Sequence, residues 1–180
     1  MNQALAPRHA ARGDRMRHPR TLAIDVAIVC SASAALAHFV AAPGHYTWWP
    51  AAGVFFFVLG VAQSACAVVL LRGRDTPLFV LAGIWGTVAV ILIYVASRTV
   101  GIPTAPPVAA HGGRWVIGRS IVPDGAKYVG PLDVFTLAAE LVLVVTLLGT
   151  LPARLKVRTV NQLMWIGLGL WGAALIGSAH

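Results

Sequence analysis

The chain has 180 residues, 58% of them hydrophobic and 11% charged, whereas a soluble domain carries roughly 25% charged residues. One water-soluble core of this size cannot hide so much apolar surface, which excludes an ordinary soluble globule. The formal charge of +8 does not point to nucleic acid, because the basic residues lie against the ends of apolar runs, where they act as topology signals.

Residues 1–20 form a basic tail holding Arg8, Arg12, Arg15, Arg17 and Arg20. It shows no hydrophobic periodicity and reads as a cytoplasmic orientation signal drawn to anionic headgroups. Residues 21–180 then form one transmembrane bundle. Five apolar runs follow, at about 22–42, 51–71, 77–97, 131–151 and 160–178. Each has the roughly 20 residues that cross a ~30 Å hydrocarbon core at about 1.5 Å per residue. Backbone groups in lipid must bond internally, so the runs are predicted helices. Pro50, Pro77 and Pro131 open three of them, at positions where a missing amide donor costs little. The fold class is therefore all-α, an integral membrane helical bundle of five transmembrane helices.

A signal-peptide reading of the first run, with cleavage after Ala35-Leu-Ala37, competes with this one. The length of the apolar stretch and Asp25 near its start disfavour it. With the N-terminus inside, the cytoplasmic segments gather the five tail arginines, Arg72, Arg74, Arg154, Lys156 and Arg158. The outer ones hold Arg98, Arg114, Arg119 and Lys127. That bias predicts a cytoplasmic N-terminus and an outer C-terminus, with Tyr46, Trp48 and Trp49 in an outer aromatic belt. The segment 99–130 becomes one long extracytoplasmic loop rich in proline and glycine, with Arg114–Val122 as a short hairpin strand or interfacial element. Cys30 and Cys66 fall inside apolar runs and read as small packing residues, not a disulfide.

Polar residues inside lipid are expensive and mark the places to look for function. Asp133, Thr136 and Glu140 share one face of the fourth helix, with Glu140 near the midplane. Arg98 ends the third helix at the level of Asp133 and is expected to pair with it. His45, in a short turn after the first helix, sits at the rim of this polar cluster of Arg98, Asp133, Thr136, Glu140 and His45. His38, closing the first helix, joins His45 as a candidate ligand for copper or zinc. No paired-histidine or paired-cysteine spacing strengthens that signal, and no cofactor is predicted. Gly53, Gly60 and Ala67 form a seven-residue repeat of small residues on the second helix, and Gln63 beside them is placed to bond across a close helix contact.

Two stretches carry a family likeness. One is Ala42-Pro-Gly-His45 followed by Gly53-Val-Phe-Phe-Phe-Val-Leu-Gly-Val-Ala-Gln63. The other is Tyr94-Val-Ala-Ser-Arg-Thr-Val-Gly-Ile-Pro103 with Gly130-Pro-Leu-Asp133 and Ala139-Glu140. Over residues 38–145 the chain resembles small multi-pass membrane proteins of actinobacteria, a family with no established activity, and the resemblance implies a bacterial plasma membrane location. The resemblance implies that His45, Arg98, Thr99, Gly101, Pro103 and Glu140 are recurring polar positions. The longer stretch between Pro103 and Gly130 departs from the family pattern.

No phosphate-binding loop, dinucleotide fingerprint, nucleophile elbow or zinc-protease motif is present. The expectation is a non-enzymatic integral membrane protein acting as an accessory or partner-binding subunit, in contact with the lipid bilayer and with another membrane protein or a second copy. The alternatives are an outward-facing metal-handling protein, and a small proton-linked carrier using Glu140.

Overall fold

The computed structural model describes residues 21–99 and 130–177; the side chains of Trp48, Arg98, Thr99 and residues 173–177 fall outside it. Among the described residues there are five helices: α1 (Leu22–Trp48), α2 (Pro50–Leu71), α3 (Pro77–Thr99), α4 (Pro131–Thr150) and α5 (Ala153–Gly177). The 1–20 tail and the expected 114–122 hairpin lie outside the described residues.

Local chemistry sets each boundary. Trp49 is extended, and Pro50 then starts α2 at once, so α1 and α2 turn back on each other within a residue. At the end of α2, Gly73 adopts φ 62°. Its amide donates to Leu70 O at 3.0 Å and that of Arg74 to Val69 O at 3.2 Å, the paired bonds of a Schellman cap that a left-handed glycine permits. The Thr76 hydroxyl accepts the Phe79 amide at 3.3 Å and caps α3, which Pro77 opens. The Asp133 carboxylate accepts the Gly130 amide at 3.0 Å at the start of α4. Leu151, held extended before Pro152, separates α4 from α5.

One boundary differs from expectation. Helix α1 does not stop near residue 42 but continues through Pro43 to Trp48, so the expected Pro43–His45 turn is helix. A proline removes only its own amide donor and strains the preceding turn, and transmembrane helices tolerate this where neighbours hold the segment. Here α2 packs along α1 as its main partner. Four helices, α1 to α4, are long and apolar enough to cross a membrane among the described residues. Helix α5 carries Arg154, Lys156, Arg158, Asn161 and Gln162 in its first turns, and its apolar half runs on into residues 173–177, whose side chains fall outside the described ones.

Helix α1 packs on α2 and then on α4, α3 packs on α4, and α5 touches the bundle only thinly, through α4. The bundle buries several polar side chains beside an aliphatic core and turns large apolar ones outward. Ser31, His38, Gln63, Thr87 and Glu140 are buried, whereas Val29, Leu36, Val54, Phe57, Leu78, Phe135 and Val145 are exposed. In water that distribution would leave a large apolar surface unsatisfied; in lipid it is the expected one. Four such helices make the architecture of a multi-pass membrane protein.

Small residues set the α1–α2 distance. A side-chain carbon at Gly53 would collide with the backbone of Tyr46, and one at Gly60 would meet the Phe39 ring at 2.7 Å. The Ser31 hydroxyl faces Gln63 across this contact, 2.8 Å from its carbonyl oxygen and 2.9 Å from its side-chain oxygen. Cys30 and Cys66 are free and half-buried rather than fully buried.

Candidate functional site

The helices alternate in direction, so α1 and α3 end where α2 and α4 begin. At that end the bundle encloses an open cavity of about 360 Å³. The second half of α1 lines it with His38, Ala41 and His45; the start of α2 with Ala52, Phe55 and Phe56; the end of α3 with Tyr94 and Ser97; and the start of α4 with Asp133, Thr136 and Glu140.

The floor of the cavity is one contact. His38 Nε2 lies 3.1 Å from Glu140 Oε1, and both side chains are 4% exposed. Either the imidazole N–H donates to the carboxylate or the carboxylic acid donates to the ring nitrogen, according to where the proton resides. The Phe56 ring packs beside both histidines, its centroid 5.8 Å from His38 and 4.2 Å from His45. The His45 Nδ1–H donates to Ala41 O at 2.9 Å, which fixes the ring in the last turn of α1.

The continuous α1 explains this geometry. His38 and His45 are seven residues apart and therefore share a helix face, as Asp133 and Glu140 do on the antiparallel α4. His38 does not close its helix at the level of His45; it lies about 10 Å deeper at helical rise, opposite Glu140. Sequence reasoning placed a helix end between the two histidines and so missed their common face. The heptad Ser31, His38, His45 was the available signal.

His38, His45, Asp133, Thr136 and Glu140 thus share one cavity. The Thr136 hydroxyl also donates to Leu132 O at 2.8 Å. The expected Arg98–Asp133 pair cannot be placed, since the Arg98 side chain lies outside the described residues. Among the described residues no group of three His, Cys, Asp or Glu side chains is disposed to hold a metal ion. Gly53, Gly60 and Gln63 lie on the buried side of α2.

No protein-family model matches the sequence, and no curated protein or solved structure is detectably similar to it. The likeness to actinobacterial membrane proteins therefore stands on the quoted motifs alone.

Proposed function

We propose that the chain is a non-enzymatic integral membrane protein that binds a small, largely apolar molecule in the cavity between α1, α2, α3 and α4. The observation that supports this reading is the cavity itself, walled by aliphatic and aromatic side chains with a buried hydrogen-bonding pair at its floor. Concave, mostly apolar sites with a few convergent polar groups, of about 300–1,000 Å³, are the usual form of small-molecule sites. In this reading the basic tail and the Arg72–Arg74 turn face the cytoplasm of a bacterial cell, and the cavity opens on the outer side of the plasma membrane.

The test is ligand-dependent stabilisation of the purified protein by a panel of small neutral and charged molecules with apolar bodies. Some members of the panel should raise the unfolding temperature of the native chain but not of Ala52→Trp, whose indole would occupy the cavity. No response from any member, or an equal response in both proteins, would defeat the reading.

A second reading, as an accessory subunit of a larger membrane assembly, draws on α5. That helix packs thinly on the bundle and leaves Met164, Trp165, Leu168 and Trp171 exposed. Extraction in mild detergent should then recover a fixed membrane-protein partner or a second copy, and mutation of Trp165 and Trp171 to Ser should release it. A lone chain in the mildest detergents would count against it.

A further inference from the structure

We infer that the guest of this cavity is a lipid-soluble alcohol or phenol, which enters sideways from the bilayer between α2 and α3 and donates its hydroxyl to Oε2 of Glu140. The inference rests on the reading of the cavity as a binding site and adds the guest's polar group and its route.

The floor sets the polar group. Glu140 is 3% exposed and lines the cavity. Its Oε1 is taken by Nε2 of His38 at 3.1 Å, and among the described residues no hydrogen bond reaches Oε2. The position of the shared proton does not change what Oε2 offers. With the proton on the imidazole, Oε2 belongs to a carboxylate; with it on Oε1, Oε2 is the carbonyl oxygen of the acid. Both accept a hydrogen bond. A buried acceptor left without a donor is costly, so a guest that brings an O–H is held in preference to one that cannot.

The helix packing sets the route. Helix α1 packs on α2 and α4, and α3 packs on α4, whereas among the described residues no comparable packing joins α2 to α3. The two meet near their connecting turn, where a side-chain carbon at Gly83 would lie 3.9 Å from the Cys66 sulfur. Towards the other end the cavity lies between them. Phe55 of α2 and Ile93 of α3 line it and are still 36% and 43% exposed, which marks an opening in the side of the bundle. At helical rise these residues sit about 8 Å and 9 Å inside their helix ends, level with acyl chains rather than headgroups. A neutral hydroxyl travels through hydrocarbon at far lower cost than a charged group. The walls beyond the opening, Phe56, Val90 and Leu137 among them, are apolar.

The experiment uses the full chain in nanodiscs and three probes, with binding expressed per mole fraction of probe in the bilayer. They are para-tert-butylphenol, its methyl ether, which has no donor, and para-dodecylphenol, whose chain is too long for the cavity. The phenol should bind about tenfold or more tighter than the ether. Dodecylphenol should bind as well as the short phenol, with its tail lying out between α2 and α3. Glu140→Leu should bring phenol and ether to equal affinity. If Glu140→Leu fails to fold, infrared difference spectra of Asp133→Asn protein decide, because Glu140 is then the one carboxyl among the described lining residues. The phenol should shift a carboxyl band there and the ether none; no shift with the phenol would overturn the inference. Ether binding as tightly as the phenol would overturn the hydroxyl assignment, and exclusion of dodecylphenol would overturn the side opening. Failure of all three probes in native protein that responds to other members of the panel overturns this inference alone. Failure of every molecule overturns the cavity reading as well.

Discussion

The two ends of the bundle are built from the same four helices and come out differently. Where α1 and α3 begin and α2 and α4 finish, Ala27, Leu70, Val80, Ile84, Leu143, Leu147 and Leu151 form a buried aliphatic core. Where the same helices reverse roles, Ala41 and Ala52 stand among Phe55, Phe56 and Tyr94 around a cavity. The closed end uses large aliphatic side chains that interlock across the axis. The open end combines rigid rings with alanines, which hold the helices at a distance without filling the space between them. Rigidity at one end lets the other keep a void, because a cavity persists only where its walls cannot collapse.

That contrast can be broken by substitution. The largest effect is expected at the closed end, where Leu147→Ala would empty a fully buried site whose side chain touches α3 at Gly83. It should cost about 3 kcal/mol, on the scale of buried leucine truncations, measured by unfolding in a graded detergent series. Midway along the α1–α2 seam, Gly60→Leu forces the Phe39 ring aside and should cost about 2 kcal/mol. Unchanged stability would mean that the seam is looser than the glycine contact requires. Ser31→Ala removes the buried bond to Gln63 and should cost about 1 kcal/mol, read in the same unfolding series. Ala52→Trp at the open end should change stability by no more than about 0.5 kcal/mol, because it enters existing space. A large loss there would show that the two ends are equally tight.

A last test concerns direction rather than energy. In a background without Cys30 and Cys66, Arg74→Cys should react with an impermeant thiol reagent only from the cytoplasmic side, and Trp115→Cys only from outside. The reverse pattern would turn the cavity toward the cytoplasm.

The helical architecture was legible in the sequence because membrane spanning imposes a length and an apolarity that few other structures share. Pro50, Pro77 and Pro131 marked three starts correctly, since proline fits the first helical position and little else nearby. What misled was Pro43. Read as a turn, it separated His38 from His45; within a continuous helix it leaves them on one face. The depth of Glu140 was visible from its position in the fourth run, but its partner was not. No local spacing links residue 38 to residue 140, and only the antiparallel packing of α1 on α4 brings them level. The fifth helix was legible as an apolar run, but its start was not: the apolar count began after the basic residues, whereas the helix begins before them at Ala153.

Pro43 also has a mechanical meaning. Its ring nitrogen carries no hydrogen, so the carbonyl of Phe39 lacks the usual intrahelical bond and α1 is compliant at that point. Pro43 divides the helix into an arm that bears His38 and an arm that bears His45 and ends at Trp48. The glycine seam spans both, Gly60 meeting Phe39 on the first and Gly53 meeting Tyr46 on the second, so α2 acts as a splint across the joint, and a larger side chain at position 53 would loosen the arm that carries His45 while leaving the arm below it in place.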